Sequence, residues 1–124
     1  MGIKTDIKNP ALRGVLWNWK PVADALPGRC GVSDIDGVIE RRGHFMVLET
    51  KRPGEKIPTG QLIMLKALAA LPKFHVLVIT GNIDTGAISG YQAVTEDGLG
   101  PKRAGDLLPK KIAQWFDWAT NSPS

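Results

Sequence analysis

Eight consecutive residues, His44-Phe-Met-Val-Leu-Glu-Thr-Lys51, constrain this chain more than any other segment. Phe45, Met46, Val47 and Leu48 are apolar at both parities, so a strand built from them buries both of its faces. Such a strand belongs in the interior of a sheet with cover on either side. In a chain of 124 residues that means a single α/β domain. The octet closes on Glu49 and Lys51, which are two residues apart and therefore share a face. Charges at the end of a doubly buried strand are costly to desolvate without a partner or a task. A structural Glu–Lys ion pair is the plain reading, and a site at the end of the strand is the functional one.

The remaining pattern supports this frame. Residues 1–10 read as an arm ending at Pro10, and residues 11–20 as a short helix with Leu12, Val15, Leu16 and Trp19 at helical spacing. Pro21 and Pro27-Gly28 close that region. Residues 32–40 read as a strand joined to 44–51 by a tight turn of Arg41, Arg42 and Gly43, a β-hairpin. A loop rich in Pro and Gly covers 52–60. A helix over 61–71 carries Leu62, Leu65, Leu68 and Ala69 on one face and stops at Pro72. Strands follow over 74–80 and 88–94, then a loop with Gly98, Gly100 and Pro101. A closing helix over 105–120 shows the stripe Leu108, Ile112, Trp115 and Phe116. The order predicts one α/β domain over 1–124 with a mixed central β-sheet flanked by helices.

Composition removes several classes. Cys30 is the only cysteine, so there is no internal disulfide, no Cys/His set for zinc, and a loop or buried thiol is a better reading than a catalytic one. The longest apolar runs, such as Val76 to Ile79, are far too short to span a membrane. The start Met-Gly-Ile-Lys-Thr-Asp has no apolar signal region, which points to the cytoplasm. Sixteen Lys and Arg against twelve Asp and Glu leave a net charge of +4, compatible with a polyanionic partner such as DNA.

The chemistry concentrates in the hairpin. Asp34 and Asp36, two apart on the first strand, are expected on one side, and Glu49 and Lys51 share a face of the second. Carboxylates brought together repel unless a cation sits between them. Oxygen ligands without sulfur or imidazole select a hard ion, Mg²⁺ or Mn²⁺. A neighbouring lysine can polarise a water or hold a phosphate oxygen.

Asp36-Gly-Val-Ile, a short turn, then Phe-Met-Val-Leu-Glu49-Thr-Lys51 resembles the signature of the PD-(D/E)XK nuclease superfamily. That group includes archaeal Holliday-junction resolvases, VRR-NUC domains, phage exonucleases and many restriction enzymes. The step of thirteen residues from Asp36 to Glu49 is similar to that of the small resolvase-type members, and Gln61 stands where similar members carry a glutamine lining the site. Ile35 occupies the place of the usual proline, and no glutamate precedes Glu40. The resemblance covers roughly residues 29–81. It implies a restriction-endonuclease-like core, DNA as partner, possible assembly as a homodimer, and hydrolysis leaving a 5′-phosphate and a 3′-hydroxyl. It implies further that Asp36, Glu49 and the Thr50 backbone carbonyl ligate Mg²⁺ or Mn²⁺, with Asp34 as a spare ligand. Lys51 orients the attacking water, and Gln61 supports Lys51 or the phosphate.

Two rivals remain. Asp34-Ile-Asp36-Gly also resembles the nucleophile loop of haloacid-dehalogenase phosphatases, with Asp34 as nucleophile and Asp36 as general acid. A catalytically inactive nucleic-acid-binding module is the non-enzymatic alternative. Among the basic residues, Arg52 and Lys56 lie in the loop beside the expected site and Arg41 and Arg42 in the hairpin turn. All four are candidate phosphate contacts. Lys102 and Arg103 form a further basic pair, and Lys110 and Lys111 read better as solvated charge. Trp115 fits the core stripe, whereas Trp17 or Trp118 is open to exposure.

Overall fold

The computed structural model describes residues 17–28 and 30–123. The expected arm and residues 11–16 of the expected first helix lie outside them. The chain divides into two compact units, Met1–Ser33 and Asp34–Ser124. In the first unit, residues 17–19 are not helical, and among the described residues the helix there is α1 (Lys20–Ala23). The proline expected to end a helix stands instead in the first turn of one, where its missing N–H would have no partner in any case. Cys30 is exposed.

In the second unit, β1 (Gly37–Arg41) and β2 (His44–Lys51) form the expected antiparallel hairpin. Arg42 and Gly43 hold φ of 51° and 80°, a turn with both central residues left-handed, whose twist matches that of the strands. The first strand is shorter than the 32–40 expected. It begins at Gly37, so neither Asp34 nor Asp36 is on a strand and strand periodicity does not relate them. Extending the register Gly37↔Leu48 would set Ile35 opposite Thr50. There the Asp36 side chain takes the Thr50 N–H instead, and the ladder ends.

From β2 the chain crosses through α2 (Thr59–Ala69) to β3 (Phe74–Gly81), which pairs with β2 in parallel. β4 (Ile88–Thr95) returns antiparallel to β3. Two strands unseen in the sequence, β5 (Gly98–Leu99) and β6 (Arg103–Ala104), both pair with β4. The six-stranded mixed sheet runs β1-β2-β3-β4-β5, with β6 also on β4. The closing helix splits into a 3₁₀ turn (Gly105–Leu107) and α3 (Leu108–Asn121). Pro109 has no N–H to offer the Gly105 carbonyl, so the α-helical ladder cannot include the first turn.

The doubly buried octet is covered as its pattern requires. Val47, Val76, Val78 and Val94 pack with Leu65 of α2 on one face of the sheet. Met46, Leu77 and Tyr91 pack with Leu108, Trp115 and Ala119 on the other. Trp115 is core, while Phe116 is 44% exposed and lies under Arg41, whose guanidinium carbon is 4.7 Å from the ring centroid. Trp17 and Trp118 are exposed. Among the described residues no helix is long and apolar enough to cross a membrane.

Candidate functional site

Strand alternation puts Glu49 and Lys51 on the α2 face, one and two pleats beyond Val47. Here the cover thins to the first turn of α2, where Gln61 stands. Its Nε2 donates to Glu49 Oε2. Glu49 is buried to 4% exposure, and Lys51 is nearly as enclosed, its Nζ 3.6 Å from Glu49 Oε2 and 3.9 Å from Glu55 Oε2. Both members of the expected ion pair are therefore present. The contact is longer than a charge-assisted hydrogen bond, so it only partly offsets the desolvation of two charges.

Asp36 reaches the same place from outside the sheet. Its Oδ2 accepts from Thr50 N at 2.8 Å and from Thr50 Oγ1 at 2.9 Å. Those two bonds hold the carboxyl group at the end of β2, where its charge acts on Glu49. Burial raises the Glu49 carboxyl above its ordinary range, and the Asp36 charge raises it further. Lys51 and the Gln61 hydrogen bond pull it down.

The protein's donors engage Asp36 Oδ2 and Glu49 Oε2. Among the described residues none engages Asp36 Oδ1 or Glu49 Oε1. The Thr50 carbonyl leaves the strand on the same edge as its N–H, toward Asp36. Among the described residues no three His, Cys, Asp or Glu side chains gather as a ligand group. Two carboxylates with free oxygens still suit Mg²⁺, which keeps several waters and needs only one or two carboxylates from a protein. The donor set fits the hard ion expected from the sequence.

These groups open into a cavity of about 570 Å³ lined by Asp36, Glu49, Thr50, Lys51, Arg52 and Glu55 on one side. Its other side comes from Ile79 and Gly81 at the end of β3 and from the turn and strand start at Asn82, Ile83, Gly86, Ala87 and Ile88. Gly81 is required there: a Cβ on it would stand 2.3 Å from the Ala87 carbonyl oxygen.

The structure thus brings together Asp36, Glu49, Thr50, Lys51 and Arg52 around the cavity, with Gln61 supporting Glu49 from α2. Asp34 and Lys56 are exposed and do not line it. Arg41 and Arg42 lie at the other end of the hairpin, about 20 Å away at the rise of a β-strand. Arg41 is engaged there, its Nε donating to Thr120 Oγ1 at 2.8 Å. Sequence reasoning missed Glu55, whose carboxylate approaches Lys51 and accepts from Arg52 N at 2.9 Å. Its only signal was a spacing of four residues from Lys51 inside a loop. Ile83 was missed as well, although an isoleucine within Asn-Ile-Asp-Thr-Gly is out of keeping with a polar turn.

Comparison with protein-family models, with curated proteins and with solved structures finds no match.

Proposed function

We propose that this chain is a metal-dependent nuclease that hydrolyses phosphodiester bonds in DNA. The observation that carries the reading is the convergence of Asp36 and Glu49, from separate segments, at the mouth of a cavity that also holds Lys51. A plain ion pair would bury Glu49 with Lys51 alone. The second carboxylate adds like charge beside a buried one that Lys51 only partly offsets, an environment that a divalent cation would complete.

Asp36 Oδ1, Glu49 Oε1 and the Thr50 carbonyl would hold Mg²⁺ or Mn²⁺. When bound, the ion lowers the pKa of its water and offsets charge on the phosphoryl oxygens. The chain's own residues do the positioning. Thr50 holds Asp36 by one oxygen and leaves the other free, and Gln61 does the same for Glu49. Lys51 lies between Glu49 and the more exposed Glu55, and a phosphate oxygen entering the cavity displaces Glu55 as its partner. Arg52, exposed on the cavity rim, adds a phosphate contact that positions the strand without reading its sequence. Asp34 lies off the cavity, so no observation favours the phosphatase reading.

The test is a panel of plasmid, linear, flap and four-way-junction DNA with and without Mg²⁺ or Mn²⁺. Metal-dependent cutting that is lost in Asp36→Ala, Glu49→Ala and Lys51→Ala with folding intact is the expected result. If the wild type cuts no substrate, a nucleic-acid-binding module becomes the better reading. Phosphomonoester turnover that survives Glu49→Ala and disappears with Asp34→Asn would reinstate the phosphatase.

A further inference from the structure

The cavity has two unlike walls. β2 and the segments flanking it contribute charge: Asp36, Glu49, Lys51 and Arg52. The end of β3, the turn after it and the start of β4 contribute apolar surface: Ile79, Ile83, Ala87 and Ile88. Ile79 is half-buried against the Met46 and Trp115 core, whereas Ile83 is 69% exposed and Ile88 39% exposed, so those two form the open part of the wall.

The turn that carries Ile83 is tied down. Asn82 Oδ1 accepts from Asp84 N at 2.9 Å and Thr85 N at 3.1 Å, and Asn82 N donates to the Ala87 carbonyl at 2.9 Å. Gly86 closes the turn with φ of 74° and donates its N–H to the Asn82 carbonyl. An exposed branched aliphatic on a fixed turn, facing a charged cluster across a cavity, has a ligand-binding geometry. Its position is set before anything binds, so little ordering is required.

A ligand matching both walls carries an anionic group on one side and a flat apolar group on the other. A nucleotide unit does so: the phosphate meets the charged wall and the base meets the apolar one. At about 570 Å³ the cavity is of small-ligand size, the scale of a single nucleotide. We infer that Ile83, with Ile88 beside it, forms a base-binding half-site. The substrate class is then DNA whose base next to the scissile phosphate is already unpaired, as in single strands, flaps and frayed or branched ends. A fully paired site would have to unstack that base first, at a cost of a few kcal/mol. This inference rests on the nuclease reading and adds the substrate to it. Ile83 is a specificity-determining contact and takes no part in the chemistry.

The experiment compares cleavage of one labelled sequence as single strand, as blunt duplex and as a duplex with a flap, in Mg²⁺, by the wild type, Ile83→Ser and Ile83→Leu. Thermal midpoints check that the exposed turn tolerates each change. The wild type should cut single-stranded and flap DNA at least on the order of tenfold faster than duplex, because these substrates are spared the unstacking cost. Ile83→Ser should lose about that factor on the unpaired substrates with little change on duplex, and Ile83→Leu should retain the wild-type pattern. A wild type that cuts duplex as fast as single strand overturns the inference and leaves the nuclease reading standing. So does Ile83→Ser cutting all three substrates as the wild type does. A wild type that cuts none removes both.

Discussion

Glu49→Gln should make the metal-free protein more stable while abolishing its response to metal. Glu49 is 4% exposed, beside a second carboxylate, and its carboxyl group is held above the ordinary range chiefly by burial and then by Asp36. Neutralising it removes a desolvated charge and one half of that repulsion. The introduced carboxamide also brings a donor within reach of Gln61 Oε1, which is buried without a hydrogen-bond partner. An unsatisfied polar atom of that kind costs about 1–3 kcal/mol. Against this stands the loss of the Lys51 contact at 3.6 Å, after which Lys51 keeps Glu55. The balance is a gain of about 1 kcal/mol, or about 4 °C in Tm for a chain of this size.

The pH dependence has a definite sign. Because the folded-state pKa is raised, the folded chain holds a proton that the unfolded chain has released. That stabilisation is fully present below the ordinary glutamate pKa and is lost as pH rises through the folded value. Wild type and variant should therefore melt together near pH 4 and separate as pH rises, with the variant ahead at pH 7.5 in EDTA. Adding Mg²⁺ should raise the wild-type Tm, by about 2.7 kcal/mol of stability at a hundred times Kd, and leave the variant unmoved. Calorimetry across pH, with and without Mg²⁺, reads all of this. A variant less stable than wild type at pH 7.5 in EDTA would show that the Lys51 pairing dominates. Equal Mg²⁺ shifts in the two proteins would remove Glu49 from the proposed metal site.

Two further outcomes follow from the geometry. Thr50→Val keeps the shape and the backbone N–H but removes the hydroxyl donor to Asp36 Oδ2, so urea unfolding should show a loss of about 0.5–1.5 kcal/mol. Cleavage should fall with it, because Asp36 keeps only one of its two tethers. His75 is held below the ordinary histidine value by burial, then by Lys111 and His44, and its Nδ1 accepts from Trp115 Nε1 at 3.2 Å. Its lowered pKa means that the unfolded chain takes the proton first, so stability should fall as pH drops below about 6.5. His75→Phe should flatten the slope of Tm between pH 7.5 and 5, and an unchanged slope would assign the dependence to other groups.

Local pattern accounts for what was legible in the residues. The octet at β2 demanded cover on both faces, and α2 and α3 supply it with Leu65 and Trp115 at its centre. The alternation that made Phe45, Met46, Val47 and Leu48 a central strand also placed Glu49 and Lys51 on one face, and Gln61 stands in the first turn of the helix that covers that face. Pro109 was present in the sequence too, yet its effect on the closing helix shows only in the loss of one hydrogen bond. Short-range rules extend this far because a strand's two-residue period and a helix's turn are properties of the chain itself.

Tertiary structure decided the rest of the site. Strand periodicity placed Asp36 on a β-strand beside Asp34, whereas it stands past the end of the ladder. It reaches Glu49 because Thr50 offers an N–H and a hydroxyl that no backbone partner claims. Arg41 and Arg42 follow Asp36 closely in sequence and stand at the far end of the hairpin, because each strand residue adds about 3.3 Å of separation. Glu55 and Ile83 sit in loops, where side-chain direction depends on which hydrogen bonds close the turn. By itself the sequence determined which face of β2 would carry Glu49 and Lys51, since that needs only the parity of the strand. The meeting of Glu49 with Asp36, and the apolar wall across from them, required β1 and β3 to be set beside β2 and β4 beside β3, and only the packed sheet does that.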